Sequence, residues 1–576
     1  MDLPESHPLI RAKRRAGRMK RYVKRQWWER NIGKQYKAWL LDSQQHRVGS
    51  IDNAVSLGVI VPVYNPPVHF LEECLTSVLN QTGRNWQLIV SDDGSTEDDV
   101  VSFLDRFTVE HADDTRVLVV RGENGGISAA QNRALERVTC EYFGWLDHDD
   151  RLNPRAVELM SEAIAISDPR PEVVYSDEDK IDSKGEHYEL YCKPDFSPEL
   201  LLTQMYLCHF TVFDTDVVRT HGGFRSEMDG AQDFDLALRL LPELHHVVHI
   251  PLPLYHWRAW SESTALTIDA KPWAQQAGQR AQQSHLERSG GGTVLPSKVP
   301  GLNEVHPVVQ GKPCVSVVIP TIGARNAQHT ARFVDDAVHT LREAEPSLEL
   351  EIIAVTTGTL EPIPDVDKQV VYEPHGDFNF AEAVNIGRSQ ATGDYLLILN
   401  DDTTADFPSP VTRMLEMGQR PGVGAVGAKL TYPDSRLQHA GIVLLPSGPT
   451  HVHIAKAANF PGYFGSTLTP RNYVAVTAAA MLTSIEAFDE IGGFDSHFAR
   501  DFNDVDYCLR LREAGYRIAW TPYAHLTHHE GASIVRKTAD PAELAEFQRR
   551  WSTKIQVDPF YSPALNQSLD RIYEAL

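Results

Sequence analysis

The chain has 576 residues, of which 42% are hydrophobic, and a formal net charge of −23. That length exceeds what one hydrophobic core supports, so two or more domains of an ordinary globular protein are expected. No apolar stretch approaches the roughly 18 residues that span a bilayer, and no signal-peptide core follows the N-terminus. The six cysteines are too dispersed for a disulfide framework or a zinc motif, which predicts a cytoplasmic location.

The first predicted element is a basic, helical N-terminal segment, residues 1–50. Residues 1–40 carry 12 Lys or Arg and 3 acidic residues, a net charge of +9, so the remainder carries −23 − 9 = −32. Cations interleaved with Trp, Tyr and Leu over residues 10–40 suit peripheral contact with the inner face of an anionic plasma membrane. The alternative is a solvated helix that packs on the next domain. Nucleic acid is disfavoured as a partner because the body of the chain is acidic.

From residue 55 the chain alternates between buried strands and helices. The segments "VSLGVIVPVYN", "WQLIVSDDGS", "TRVLVVRG" and "EYFGWLDHDD" have the short, β-branched pattern of buried strands, and helical stretches such as "VHFLEECLTSVLNQ" separate them. This alternation predicts an α/β domain on a mostly parallel, Rossmann-like sheet. Ligands bind such sheets at the carboxyl ends of the strands, so "VYN", "SDDGS" and "LDHDD" are expected to converge on one crevice.

The whole pattern then occurs a second time. "VSVVIPTIG" matches "LGVIVPVYN", "LNDDT" matches "LDHDD", and "GGFDSHFARDFNDVDYCLRL" matches "GGFRSEMDGAQDFDLALRL". The offsets are similar, because Pro62 to Pro320 is 258 residues, Asp149 to Asp402 is 253, and Asp233 to Asp504 is 271. The sequence thus predicts two copies of one domain, at 51–290 and 313–576, joined by a Gly- and Pro-rich linker at 291–312.

Each half resembles a family 2 glycosyltransferase with the GT-A nucleotide-sugar fold. The resemblance covers about residues 55–550 and rests on ordered motifs, among them "SDDGS", "LDHDD", "YSDEDKID", "GAQDFDLALRL" and "LYHWR", then "LNDDT", "QHAG", "NDVDYCLRL" and "HHEGAS". The chain as a whole is similar to tandem bacterial enzymes of the O-antigen and rhamnan type. The resemblance implies an inverting transfer from a nucleoside-diphosphate sugar to a cell-surface glycan, with a polyprenyl-linked acceptor at the membrane.

Sugar transfer explains why these residue types are needed. A divalent cation, Mn²⁺ or Mg²⁺, neutralises the leaving diphosphate and prefers carboxylate ligands, and a carboxylate base takes the proton of the acceptor hydroxyl. In the first half the resemblance implies that Asp233 is this base, although an Asp in that position also caps helices. It assigns the metal to Asp149 and His256, and the nucleotide sugar to Pro62, Val63, Tyr64, Asp147 and either Asp92 or Asp93. "DEDK" at 177–180 either contacts a sugar or forms a solvated turn.

In the second half the resemblance implies that Asp504 is the base, that Asp402 and His528 bind metal, and that Pro320 and Asp401 contact the donor. His528 is predicted to take the place of His256. Two departures stand out. Asn400 occupies the position of Asp147, and Thr356 and Thr357 replace the carboxylates of "SDDGS". A lost charge-assisted hydrogen bond of this kind lowers donor affinity by about 1.5–3 kcal/mol.

Three functions remain open on the sequence alone. The first is a transferase with two active centres. The second is one active domain beside a pseudoenzyme domain that binds glycan. The third, a nucleotidyltransferase, also uses paired carboxylates, but no Gly-rich basic phosphate loop follows the first strand. The donor sugar, linkage, acceptor and oligomeric state are not encoded in any recognisable pattern.

Overall fold

The computed structural model describes residues 55–260, 272–297, 299, 301–325, 331–358, 360–374, 376–529, 539–554, 556–568 and 573. The predicted basic segment lies outside these residues. Within them, no helix has the length and apolar character needed to cross a bilayer.

The first domain is built on a nine-stranded sheet. Its strands are β1 (Leu57–Val63), β2 (Trp86–Asp92), β3 (Val117–Arg121), β4 (Tyr142–Trp145), β5 (Arg151–Leu152), β6 (Val173–Ile181), β7 (His187–Tyr191), β8 (Thr211–Asp214) and β9 (Val247–Arg258). Its helices are α1 (Val68–Leu79), α2 (Asp98–Glu110), α3 (Ile127–Leu135), α4 (Ala156–Ile166), α5 (Pro198–Leu201), α6 (Thr215–Thr220) and α7 (Gln232–Leu240), followed by α8 (Pro272–Arg288).

The second domain has a ten-stranded sheet, preceded by the hairpin β10 (Gly292–Pro296) and β11 (Asn303–Pro307). Its strands are β12 (Cys314–Thr321), β13 (Glu349–Thr357), β14 (Lys368–Tyr372), β15 (Tyr395–Leu399), β16 (Thr403–Thr404), β17 (Val423–Thr431), β18 (Leu437–His439), β21 (Arg471–Asn472), β22 (Ala480–Ser484) and β23 (Arg517–His528), with β19 (Ile442–Leu445) and β20 (Gly448–His451) in a separate hairpin. Its helices are α9 (Phe333–Ala344), α10 (Phe380–Gln390), α11 (Pro410–Gly418), α12 (Ile485–Glu490), α13 (Asn503–Glu513) and α14 (Pro541–Trp551).

The two sheets have the same strand order, which supports the predicted duplication. The first runs β3-β2-β1-β4-β8-β6-β9-β5 and the second β14-β13-β12-β15-β22-β17-β23-β16. In each, the first four strands are parallel, as the strand–helix alternation predicts. The remaining strands form both parallel and antiparallel pairs. Each sheet is therefore entirely parallel only over the first four strands of its order.

Burial explains why these segments become central strands. Every residue of β1 is buried, and all of β12 except Cys314 is buried, as expected for a parallel strand covered by helices on both faces. The flanking helices are amphipathic; α1, for example, buries Phe70, Leu71, Cys74, Leu75 and Val78 on one face.

The segment predicted as a linker is ordered and joins the domains closely. It contains the antiparallel hairpin β10–β11, in which Val305 and His306 are buried. His306 lies 2.9 Å from Glu416 of the second domain. Side chains from both halves also form one continuous buried cluster, which includes Leu201 and Val317. The two domains therefore share a buried core and are not two separate units joined only by a linker.

Candidate active sites

The predicted crevice forms where the parallel strands of the first sheet end. The Asp93 backbone N–H donates to the Val63 carbonyl at 2.8 Å, and Leu146 N–H donates to the Ile60 carbonyl at 3.0 Å. His148 Nδ1 lies 3.2 Å from the Pro62 carbonyl oxygen. These contacts place the ends of β1, β2 and β4 side by side, so the residues predicted to hold the donor line one edge.

Asp92 and Asp93 are both buried, but their partners differ. Asp93 accepts hydrogen bonds from the backbone N–H groups of Gly125 and Gly126, at 3.1 and 2.8 Å. It also pairs with Arg133 at 3.4 Å. Among the residues that the structure describes, the Asp92 side chain accepts a hydrogen bond from Ser95 N–H, at 3.0 Å, and lies 3.9 Å from Arg121. Asp93 therefore orders the loop before α3, and Asp92 is the better candidate for a nucleobase contact.

Two of the other predicted donor contacts in this crevice differ in exposure. Tyr64 is 47% exposed, so its ring is free to cover a base or ribose, whereas Val63 is buried in the strand.

The carboxylates of "LDHDD" divide into two groups. Asp150 is buried, accepting from the Tyr255 hydroxyl at 2.5 Å and from Arg258 N–H at 2.6 Å. Burial, with the nearby charges of Asp149 and Asp147, raises the pKa of Asp150 well above its usual range. Asp147 and Asp149 remain partly exposed, and the Trp260 indole N–H donates to Asp149 at 2.7 Å. Asp150 thus anchors β9, while Asp147 and Asp149 face the crevice.

Asp233 lies in the first turn of α7, and the N-cap position belongs to Ala231. Asp233 is therefore not the N-cap residue, although its carboxylate accepts the Phe234 N–H of that first turn at 2.7 Å. Desolvation raises the pKa of Asp233, and the positive charge of His209 partly opposes that rise. His209 also lies 3.9 Å from Asp147. The predicted base Asp233, the His209 imidazole and the Asp147 carboxylate are therefore close enough to interact electrostatically.

His209 is a residue that sequence reasoning missed. Its ring stacks on Tyr255 with centroids 4.6 Å apart. Its backbone is held by the buried pair of Lys193 and Glu178: the Lys193 ammonium donates to the His209 carbonyl at 2.7 Å, and Glu178 accepts from His209 N–H at 3.2 Å. The only signal in the sequence was the acidic motif that contains Glu178.

The motif "DEDK" is a buried strand, so the predicted solvated turn is wrong. Asp177 and Asp179 are fully buried in β6. Asp177 lies 2.9 Å from His249 Nε2. Asp179 lies between two imidazoles, with His256 Nδ1 at 2.6 Å and His187 Nδ1 at 2.8 Å.

The second crevice places a carboxylate and an imidazole together after β15. Asp402 Oδ1 lies 3.0 Å from His528 Nε2, and the Asn400 amide nitrogen lies 3.3 Å from the same atom. Asp401 accepts a hydrogen bond from the Thr321 hydroxyl at 2.6 Å, which ties it to the end of β12 beyond Pro320. Desolvation raises the pKa of Asp401 to about 6. Asp402 and His528 are therefore neighbours, as predicted.

Asp504 occupies the same place in α13 that Asp233 has in α7, in the first turn of the helix. It accepts from Ala478 N–H at 3.3 Å. Desolvation raises its pKa, and the charge of His451 opposes the rise. His451 in turn lies 3.0 Å from His439 of the "QHAG" motif. Each domain thus pairs a desolvated aspartate with a histidine, although His209 lies in the loop before β8 and His451 lies at the end of the β19–β20 hairpin.

The predicted equivalence of His256 and His528 is wrong by one residue. In the first sheet His256 pairs with Arg151, whereas in the second His528 pairs with Thr403, the counterpart of Asp150. His528 therefore corresponds to Trp257, and His256 to Thr527. Because neighbouring residues of a strand face opposite sides, His256 points to Asp179 and not to the crevice of Asp149.

At the end of β13 the second sheet has Thr356 where the first has Asp92, because Thr356 pairs with Thr321 as Asp92 pairs with Val63. Thr356 is buried, and its hydroxyl lies 3.3 Å from the Gly358 carbonyl and 3.4 Å from that of Val370. The second sheet therefore has a buried hydroxyl, and no carboxylate, at this position.

The donor sets of both crevices fit a divalent cation. In the second, a carboxylate lies beside the buried His528, whose Nδ1 has no partner among the described residues. In the first, Asp147 and Asp149 supply oxygen ligands only, because His256 is turned away. Oxygen ligands suit Mg²⁺ and Mn²⁺, and an added imidazole favours Mn²⁺.

Comparison with known proteins gives the same division of the chain. The model of "Glycosyl transferase family 2" matches residues 58–221 and 316–469, more than half of the chain. The chain belongs to glycosyltransferase family 2. The predicted tandem α/β fold is confirmed by these two regions and by the matching sheets.

Two relatives in this family align with almost the whole chain. The uncharacterized protein y4gI of Sinorhizobium fredii is 36% identical over 94% of this chain and 61% of its own length. The O-antigen biosynthesis protein RfbC of Myxococcus xanthus is 31% identical over 92% of this chain and 42% of its own length. The chain therefore spans about half the length of these relatives.

A solved structure, that of Staphylococcus aureus TarS residues 1–349, is 16% identical. Its match covers 40% of this chain and 71% of that structure, with a TM-score of 0.31.

Proposed function

We propose that the chain is an inverting, divalent-cation-dependent glycosyltransferase that moves sugars from nucleoside-diphosphate donors to a growing cell-surface glycan. The observation that carries this proposal is the repeated placement of Asp233 and Asp504. Each lies in the first turn of an equivalent helix and is desolvated. Asp233 is close enough to Asp147 for that charge to raise its pKa, and Asp504 accepts from Ala478 N–H, next to the Ala479 carbonyl that accepts from Asn400 N–H. Similarity to an O-antigen biosynthesis protein supports a surface polysaccharide as the product.

The proposed reaction is a single displacement at the anomeric carbon. Asp233 or Asp504 accepts the proton of the acceptor hydroxyl, and a raised pKa makes each a stronger base than an ordinary aspartate. The oxygen so activated attacks the face opposite the diphosphate, which inverts the configuration. When bound, the cation neutralises the charge of the departing diphosphate. Asp147 and Asp149 in the first domain, and Asp402 and His528 in the second, would hold that cation.

The two domains are proposed to hold donors differently. Asp92 gives the first crevice a carboxylate for the nucleobase, and Thr356 removes that group from the second. A second candidate function follows from the same observation. The second domain would then bind glycan without transferring sugar, while Asp402 and Asp504 keep only their structural contacts.

The acceptor is proposed to be lipid-linked, with the chain held at the inner membrane face by residues 10–40. The charge of +9 over residues 1–40, with interleaved aromatic side chains, supports this contact. Deletion of residues 1–45 followed by cell fractionation tests it. Loss of the membrane-bound fraction is expected, and unchanged fractionation with unchanged polymer synthesis would refute the membrane role.

The experiment that tests the proposed function is a donor screen with the full chain. Purified protein is mixed with a panel of nucleotide sugars, with Mn²⁺, Mg²⁺ or EDTA, and thermal stabilisation and nucleoside-diphosphate release are recorded. A metal-dependent shift with one or two donors, accompanied by diphosphate release, is expected. No shift and no release with any donor would contradict transferase activity.

A further inference from the structure

Asp179, His187 and His256 form a cluster in the first domain that the proposed transfer reaction does not use. One nitrogen of each imidazole and a carboxylate oxygen of Asp179 lie within 4.8 Å of one another. Among the residues that the structure describes, this is the only group of three or more such side chains close enough to share an ion. Asp179 is fully buried, His256 is 4% exposed, and His187 is partly exposed.

The cluster opens into a cavity separate from the nucleotide crevice. The cavity has a volume of about 330 Å³. His187, His256 and Arg151 line it, together with Glu73 and Ser77 of α1 and Asn80 at the end of that helix. None of the crevice carboxylates Asp147, Asp149 or Asp233 lines it.

The second copy of the domain shows that the fold does not need this cluster. Asp179 and His256 pair across β6 and β9, and the equivalent pair across β17 and β23 is Thr431 and Thr527. Burying a carboxylate costs free energy unless it gains partners. Since the same sheet forms with two threonines, the buried Asp179 and its two histidines serve something particular to the first domain.

We propose that Asp179, His187 and His256 bind a divalent transition-metal ion of the Zn²⁺ or Co²⁺ type. Two imidazole nitrogens and one carboxylate oxygen form a ligand set that suits such ions and disfavours Mg²⁺. The present Nδ1–oxygen distances of 2.6 and 2.8 Å would widen to about 3.3 Å around a tetrahedral ion. Those are shifts of about 0.7 and 0.5 Å, and the fourth position would face the cavity.

The charges around the cavity bear on this assignment. Arg151 lines the cavity beside the cluster, and Arg258 contacts Glu73 of the same lining; cations oppose a metal ion. Glu73 pairs with both guanidinium groups, with Arg151 at 3.7 Å and Arg258 at 2.5 Å. Glu73 and Asp179 together therefore balance the two arginines, and an ion would bring a net positive charge to the cavity. The open position would consequently favour an anionic ligand or hydroxide.

The test uses the purified full chain after EDTA treatment, titrated with Co²⁺ in excess Mg²⁺. The Mg²⁺ fills the oxygen-only site, and the visible absorption of four-coordinate Co²⁺ reports a site with nitrogen ligands. His187→Ala is the decisive variant, since His187 is partly exposed and its removal leaves the core intact. His497→Ala is the matched control, because His497 Nδ1 also lies against an aspartate, Asp495, at 2.9 Å but without a second imidazole.

We expect the absorption in the wild type and in His497→Ala, and at least about tenfold weaker Co²⁺ binding in both His187→Ala and His256→Ala. His528→Ala separates this site from the second crevice and is expected to keep the absorption. Calorimetry of each variant checks that it folds. Absence of the absorption in the wild type, or its survival in His187→Ala, would overturn the proposal.

Discussion

Glu199 forms the buried ion pairs that link the first domain to the second. It is fully buried in the first domain and meets two arginines of the second. Its carboxylate pairs with Arg517 at 3.0 Å and with Arg420 at 3.3 Å. Burial alone would raise the pKa of Glu199, but the charges of Arg517 and Arg420, with hydrogen bonds from Arg517 and Asn472, outweigh it and lower the pKa from 4.5 to about 2. Replacing Glu199 with Gln keeps the shape and removes the charge that both arginines need.

The magnitude follows from the pKa shift. A depression of 4.5 − 2 = 2.5 pKa units, at 1.36 kcal/mol each, corresponds to about 3 kcal/mol of stability. This agrees with the roughly 3–5 kcal/mol lost when one partner of a buried ion pair is removed. Because the folded pKa is depressed, the contribution is complete above about pH 4.5 and disappears as the pH falls towards 2. The deficit of Glu199→Gln should therefore be full at pH 7 and smaller at pH 3.

Differential scanning calorimetry of the wild type and Glu199→Gln at both pH values measures this difference. The matched control is Glu141→Gln, which breaks an ion pair with Arg170 at an exposed site and is expected to cost less than about 1 kcal/mol. If Glu199→Gln melts like Glu141→Gln at pH 7, or its deficit is the same at pH 3, the electrostatic account of this link between the domains is wrong.

The remaining predictions concern the crevices. Asp401→Asn should stabilise the protein at pH 7 by at most about 3 kcal/mol. Burial raises the pKa of Asp401 to about 6, so the wild type loses stability as the pH rises from about 4 to 6. Calorimetry should therefore show a larger difference in stability between Asp401→Asn and the wild type at pH 8 than at pH 5. His209→Gln should move the acidic limb of the first domain's pH–rate profile to higher pH, because it removes the charge that lowers the pKa of Asp233. An unmoved limb would refute the electrostatic interaction between His209 and Asp233. His528→Ala should weaken Mn²⁺ activation of the second domain at least about tenfold, with the first domain as internal control.

The sequence predicted the parts of this protein that depend on local pattern. Buried strands that end in polar residues identified the crevices, since the carboxyl ends of parallel strands share one edge. The repeat predicted that Asp149 corresponds to Asp402 and Asp233 to Asp504, and Asp233 and Asp504 do stand at the same position in the first turns of α7 and α13.

The sequence failed where contacts depend on strand register or on distant segments. His256 and His528 both stand near the end of a long strand, and a slip of one residue turns a side chain to the opposite face. His209 reaches the crevice only through the antiparallel half of the sheet, which no periodicity indicated. The acidic "DEDK" resembled a surface turn because charged residues are rarely buried, and its partners are 8 or more positions away along the chain.

The products of Asp233→Asn and Asp504→Asn show whether one chain holds two transfer centres. Glycan from cells that make each variant is compared by linkage analysis, with calorimetry to show that both variants fold. We expect each substitution to abolish a different linkage or sugar addition. If Asp504→Asn leaves the product unchanged, the second domain does not transfer sugar and the account of two centres is contradicted.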